Sequence, residues 1–241
     1  MTAKNIDDQR RGGVTVIMIL MWVMVALVAA LGLWMSGSVV EAVPAAVGAA
    51  VVTGFWKFRR DSAWGRILSG VLLMAQISLM IAEAAGHPWQ IDLHMTYFAL
   101  LAVLIIYCDW KVILAATATV ALHHLVLSFA IPSAVFPGSA SLARVILHAV
   151  ILLTEAAALL WVAHSIVRMF QVSNAAVDEA EAATSRSVAS NAAAEAARTE
   201  ADVQRAEAAA RDRETQRIQA AVVELTGKGL GALAAGDLTY R

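Results

Sequence analysis

The chain carries, at residues 112–131, the run VILAATATVALHHLVLSFAI. The run has twenty residues and contains no Asp, Glu, Lys or Arg. A helix needs about 20 predominantly apolar residues to cross the hydrocarbon core of a bilayer. We therefore predict a membrane-spanning helix here, with the neighbouring imidazoles of His123 and His124 inside it.

The composition of the whole chain supports this prediction. The 241 residues are 60% apolar and 15% charged, whereas a soluble chain averages about 45–50% apolar and about 25% charged. The net charge of -1 gives no basic excess for binding nucleic acid. A single Cys excludes a disulfide framework and any cysteine-based zinc finger. These features indicate a membrane protein.

Five further apolar runs flank the first one on both sides. We predict an all-α membrane protein with six transmembrane helices, followed by a long cytoplasmic signalling helix. The predicted spans are residues 14–34, 39–55, 63–85, 91–107, 112–131 and 142–166.

Lys and Arg residues predict the orientation, because short cytoplasmic loops retain them. The loops at 36–38, 86–90 and 132–141 contain neither residue. The opposite ends of the spans hold nearly all the basic residues of this region, and Arg144 is the exception on the outer side. Both termini are therefore expected in the cytoplasm. The basic residues that decide this are Lys4, Arg10, Arg11, Lys57, Arg59, Arg60, Arg66, Lys111 and Arg168.

The segment after Phe170 is rich in Ala, Glu, Arg and Gln, which are good helix formers, and it contains no Pro. We find no helix breaker between Leu142 and Ala221, and we predict a helix continuous with the sixth span. A solvated single helix or a disordered segment is the alternative, because large apolar residues at heptad positions are scarce.

The six histidines all lie in or beside the predicted spans. His94, His124 and His148 lie three, seven and six residues from the outer ends of spans 4, 5 and 6, roughly 5–10 Å below the outer surface at 1.5 Å per residue. Polar stripes on spans 3, 5 and 6 suggest that spans 3 to 6 form a four-helix bundle around a pocket open to the periplasm.

This layer of imidazoles predicts a transition-metal site, because neutral imidazole binds Zn, Cu, Fe and Ni. His94, His124 and His148 are the first candidates and His123 is a fourth, although it points about 100° away from His124 along the helix. Copper is preferred because Met80 and Met95 add soft sulfur. Zinc is possible, and haem b held by two histidines is the alternative. Further ligands or supporting groups are expected among Glu83, His87 and Asp92.

The chain ends in VELTGKGLGALAAGDLTYR, and residues 233–239 read LAAGDLT. This ending resembles the start of a HAMP signal-relay module. Together with residues 92–129 and the run ARVILHAVILLTEAAALLW at 143–161, it resembles the membrane sensory part of bacterial methyl-accepting chemotaxis proteins.

The resemblance implies a receptor of the bacterial inner membrane that forms a homodimer and is not an enzyme. The expected domains are a cytoplasmic N-terminus at 1–13, a six-span sensor at 14–168, a helical stalk at 169–217 and the start of the relay module at 218–241. The second HAMP helix is absent, so we expect a downstream signalling domain outside this chain.

Two other classes of function stay open. A membrane redox or electron-transfer protein would use the histidines for haem, but it would not need the long helical tail. A transporter could use Glu83, Glu155 and histidine as a proton relay, but paired broken helices and repeats are missing. No nucleophile with a base and no phosphate-binding loop appears in the tail.

Overall fold

The structure is a computed structural model that describes residues 6–59, 62–131 and 142–236. All regular secondary structure in these ranges is helical. The chain divides into two compact units, residues 1–175 and 176–241. The elements are α1 (Ile6–Met35), α2 (Ala42–Phe58), α3 (Ala63–Glu83), α4 (Gln90–His94), α5 (Thr96–Val103), a 3₁₀ helix (Leu104–Tyr107), α6 (Trp110–Ala130) and α7 (Leu142–Ala234).

Within the described residues, five helical segments are long and apolar enough to cross a membrane: α1, α3, the segment Gln90–Tyr107, α6 and the apolar part of α7. The sixth candidate, α2, has 17 residues and is shorter than the others. It begins three residues later than predicted, because residues 40–41 form a turn that is closed by the N–H of Ala42 donating to the carbonyl of Val39 at 3.0 Å. The all-helical fold with several apolar helices of membrane-spanning length is confirmed, and the count of six spans stays a prediction.

The fourth predicted span is the one that differs most. It is divided into α4, α5 and the 3₁₀ helix instead of forming one helix. The division falls at Met95, whose N–H donates to the carbonyl of Asp92 at 3.1 Å, a tighter bond than the regular helical pattern. The segment ends at Cys108, which adopts a left-handed conformation with φ 47° and turns the chain into α6.

The core of the first unit forms around α3, which contacts α1, α2 and α6. Leu73, Met74 and Ile77 of α3 are fully buried. Gln76 is also buried, and its side-chain amide donates to the carbonyls of Met21 at 3.3 Å and Ala45 at 2.9 Å. The polar stripe of α3 thus faces inward, as predicted, but at Gln76 it faces α1 and α2. The predicted four-helix bundle of spans 3 to 6 is therefore incomplete, because α1 and α2 also pack against α3.

A buried ion pair joins the ends of α3 and α6 that the charge pattern predicts to be cytoplasmic. Arg66 donates to Asp109 Oδ2 from Nη2 at 2.9 Å and from Nε at 3.3 Å. The two side chains are only 10% and 8% exposed. Asp109 also caps α6 by accepting the N–H of Lys111 through Oδ1 at 3.1 Å. One carboxylate thus begins α6 and fixes it to α3.

The last helix, α7, is uninterrupted over Leu142–Ala234, and the absence of helix breakers predicted this as far as Ala221. Within the first unit it buries Leu152, Ala156 and Ala163. In the second unit its residues are almost all exposed and form ion pairs along the helix, such as Lys228 with Glu224 at 2.7 Å. Of the HAMP-like ending, Asp237, Leu238 and Thr239 lie outside the described residues.

Candidate metal centre

Three histidines from three different helices meet in the first unit. His94 is the last residue of α4, His124 lies in α6 and His148 lies in α7. The ring centroids are 4.9 Å apart for His94 and His124, 5.7 Å for His94 and His148, and 5.9 Å for His124 and His148. The sequence predicted this grouping from the equal depth of the three residues, and the structure brings them together.

Backbone contacts orient two of the three rings. His124 Nδ1 lies 2.8 Å from the carbonyl of Val120, and His148 Nδ1 lies 2.9 Å from the carbonyl of Arg144. A carbonyl can only accept, so each Nδ1 carries the hydrogen and each neutral ring presents a lone pair at Nε2. Metal-binding histidines commonly donate their other N–H to a carbonyl or carboxylate in this way.

The third ring completes a hydrogen-bonded pair. His94 Nε2 lies 2.9 Å from His124 Nε2. Because the hydrogen of the His124 ring is on Nδ1, His94 must be the donor in this pair. His94 lies at the division between α4 and α5, so its ring is held by a helix of only five residues.

A cavity of about 200 Å³ borders the three rings. Its other walls are apolar or aromatic side chains of α5, α6 and α7, including Tyr97 and Phe98. The Tyr97 hydroxyl lies 2.6 Å from Ser78 Oγ of α3, and the Tyr97 ring lies 5.4 Å from His94 and 5.6 Å from His124 between centroids. Tyr97 therefore supports the histidine rings from the side of the core. The residues that line the cavity are His94, Tyr97, Phe98, Val120, Ala121, His124, Leu125, Val145, His148, Ala149 and Leu152.

The fourth candidate, His123, lies beside the site. Its ring is half-buried and stands 5.3 Å from the His124 ring and 6.0 Å from the Tyr97 ring between centroids. It is not among the side chains that line the cavity. This position agrees with the 100° rotation between adjacent helical residues.

Glu83 and His87 make contacts near α1. Glu83 accepts a hydrogen bond from Ser36 Oγ at 3.2 Å. The His87 ring packs edge-on against Trp34 and Trp89, with centroids 5.8 Å and 5.7 Å away. His87 Nδ1 also accepts the N–H of Trp89 at 3.2 Å. Each of these side chains already has a structural role there.

The remaining candidates differ in burial. Met80 is buried in the apolar core, whereas Met95 and Asp92 are exposed. Cys108 lies between the 3₁₀ helix and α6, and burial raises the pKa of its thiol. A raised pKa disfavours the thiolate form, which is the form that binds metals.

The distance between His94 Nε2 and His124 Nε2 can be compared with the distance expected when both nitrogens bind one ion. Two imidazole nitrogens on one tetrahedral ion, each about 2.0–2.1 Å from it, stand about 3.4 Å apart. The observed separation of His94 and His124 Nε2 is 2.9 Å, so the rings must part by about half an ångström. In the described ranges, no group of three or more His, Cys, Asp or Glu side chains is arranged so that it could hold a metal ion.

The sequence did not predict two features of the first unit: the packing of Tyr97 against the histidine rings, and the ion pair of Arg66 with Asp109. Tyr97 follows His94 by three residues, so helical spacing could have identified it as a neighbour. The pairing of Arg66 with Asp109 had no comparable signal, because 43 residues separate them.

Comparison with known proteins gives no match: no family model and no curated protein matches the sequence, and no solved structure matches the fold. The function is therefore inferred from the site and from the chain's own residues.

Proposed function

We propose that this chain is the membrane sensory part of a signal-transducing receptor, and that His94, His124 and His148 bind one transition-metal ion. The observation that carries the proposal is the convergence of three imidazoles from three helices, two of them within 2.9 Å of each other. His123 is close enough to the site to serve as a further ligand after a rearrangement of α6.

Copper is the preferred ion and zinc the second. Three neutral imidazoles form a nitrogen donor set that suits Cu and Zn, and divalent copper binds such sites more tightly than zinc. The Nδ1 contacts to Val120 and Arg144 support the required tautomer at His124 and His148. His94 would exchange its hydrogen bond to His124 for a bond to the ion, which requires the proton to leave His94 Nε2 or move to Nδ1.

The relay would use α7. His148 lies in the same uninterrupted helix as the charged stalk, which reaches Ala234. An ion that binds one arrangement of α4, α6 and α7 better than another shifts the equilibrium between them by its difference in affinity. The resemblance to chemotaxis receptors supports a homodimer in the bacterial inner membrane with both termini in the cytoplasm, acting on a signalling domain further along the polypeptide.

Metal analysis of the purified chain tests the metal site. We expect about one copper or zinc ion per chain and no haem absorption band. His94→Ala, His124→Ala and His148→Ala should each weaken metal binding by at least about tenfold, the lower end of losses seen for supporting residues. His164→Ala is the matched control, because this exposed histidine lies sixteen residues beyond His148 on the same helix.

The outcomes separate the alternatives. Equal metal content in the three variants and the control would refute the metal site. A haem absorption band that disappears in His94→Ala and His124→Ala would replace the metal by haem. If the three variants still bind metal and His123→Ala loses the most binding, the neighbouring ring of His123 is the ligand instead.

A further inference from the structure

A second cavity lies at the other end of the first unit. It encloses about 490 Å³ at the beginnings of α3 and α6. His124 is 14 residues from Trp110 in α6, which places the histidine site about 20 Å away along this helix. The polar and aromatic side chains that line the second cavity are Arg10, Arg66, Asp109, Trp110, Lys111 and His164.

The charge of this cavity is positive. Three permanent cations, Arg10, Arg66 and Lys111, face one carboxylate, Asp109, so the lining has a net charge of two positive. Asp7, whose carboxylate lies 3.4 Å from Arg10 Nη1, is exposed and does not line the cavity. A cavity with this balance attracts anions.

The structure holds these cations in place by contacts of its own. Arg10 donates from Nε to the carbonyl of Tyr107 at 3.4 Å and from Nη2 to the carbonyl of Cys108 at 3.3 Å. Arg66 is fixed by its pair with Asp109. Lys111 Nζ lies 5.9 Å from the centroid of the Trp110 ring. The two arginines are therefore ordered without a ligand, which lowers the entropy that binding must remove, whereas Lys111 is exposed.

The cavity also has an apolar wall. Ala63 of α3 and Ala163 and Val167 of α7 complete its lining. Trp110 is exposed, as is common for tryptophan at the boundary between a membrane and water. The ends of α3 and α6 carry the basic residues that predict the cytoplasmic side, where anionic lipids are concentrated.

We propose that this cavity binds the headgroup of an anionic phospholipid from the cytoplasmic leaflet. The phosphate would accept hydrogen bonds from the cationic side chains, and the acyl chains would lie along Val167 and the exposed face of Trp110. Basic pockets between transmembrane helices on the cytoplasmic side are suited to this chemistry. The apolar wall favours a lipid over a free phosphate ion, which would have no use for it.

Thermal unfolding of the full chain in neutral detergent micelles tests this site. The titrants are phosphatidylglycerol, phosphatidylcholine and inorganic phosphate. We expect phosphatidylglycerol to raise the melting temperature in a saturable manner, with little effect of the other two. Lys111→Gln should bind phosphatidylglycerol about fivefold more weakly, the effect of one basic residue near an anionic surface.

Two variants serve as controls. Lys57→Gln removes an exposed cation from the last turn of α2, which does not line the cavity, and it should bind like the wild type. Lys111→Arg keeps the charge and should restore most of the affinity. If Lys111→Gln and Lys57→Gln lose the same affinity for phosphatidylglycerol, the proposed site is wrong, and the lipid is attracted only by the overall charge of the protein surface. An equal response to inorganic phosphate and to phosphatidylglycerol would overturn the lipid assignment.

Discussion

The buried pair of Arg66 and Asp109 gives the sharpest prediction about stability. Asp109→Asn keeps the cap of α6, because Asn is as good a cap as Asp. The substitution removes the negative charge beside a guanidinium that is only 10% exposed. Breaking a buried ion pair from one side costs about 3–5 kcal/mol, since the other charge remains buried. We expect the lower end, about 3 kcal/mol, because Arg66 also borders a cavity.

This loss corresponds to a decrease in melting temperature of about 6–12 °C, at about 2–4 °C per kcal/mol for a chain of this size. The assay is thermal unfolding in detergent, followed by circular dichroism. Asp7→Asn is the matched control, because Asp7 forms an ion pair with Arg10 but is 63% exposed, and it should cost less than about 1 kcal/mol. The double substitution Arg66→Leu with Asp109→Leu should recover much of the loss, apart from about 1 kcal/mol for the missing cap.

Equal melting temperatures for Asp109→Asn and Asp7→Asn would contradict a large contribution of the buried pair to stability. A double substitution that is less stable than Asp109→Asn would also count against it, because removing both charges would then cost more than removing one.

Two further predictions concern packing and signalling. A Cβ at Gly70 would lie 2.9 Å from Val112 Cγ1, whereas a Cβ at Gly54 meets nothing within 4 Å. Gly70→Ala should therefore lower the free energy of unfolding by about 1–3 kcal/mol. Gly54→Ala should leave it unchanged or raise it by up to about 1 kcal/mol. Denaturant unfolding of both variants checks this, and equal effects would contradict the close approach of α3 and α6. Spin labels at Val188, an exposed position of α7, should give a distance between two chains that changes when copper is added and does not change in His148→Ala. A distance that is unaffected by copper would leave the metal with a structural role, and the lack of any inter-chain distance would contradict the homodimer.

The sequence predicted the helical fold and the grouping of His94, His124 and His148 because both follow from simple regularities. Apolar runs of bilayer length predict helices, and the depth of a residue follows from its count along the span. The division at Met95 had no such signal: Asp92, His94 and Thr96 make this end of the span more polar than the rest, but no Pro or Gly marks a break there. The structure places it where a single residue forms a tighter hydrogen bond.

The partners of the polar side chains were the least predictable part. Arg66 looks like one of several basic residues that mark the cytoplasmic side, and only the tertiary structure shows that it is buried against Asp109. The polar stripe of span 3, which includes Gln76, was expected to face inward, but the helices that it meets depend on how α1 and α2 pack against α3. Periodicity predicts which residues share a face, and it does not predict which helix that face meets.

The few residues that α7 buries in the first unit have a mechanical consequence. Two of the three, Ala156 and Ala163, have side chains of a single methyl group, and only Leu152 is large. Between helices in lipid, association depends on close fit and hydrogen bonds, because lipid tails are as apolar as leucine. Small side chains let neighbouring helices approach closely, so the contact of α7 depends on a close fit that a small displacement of the helix would disturb. The histidine cluster includes one residue of α7, His148, so a rearrangement there would act directly on this fit.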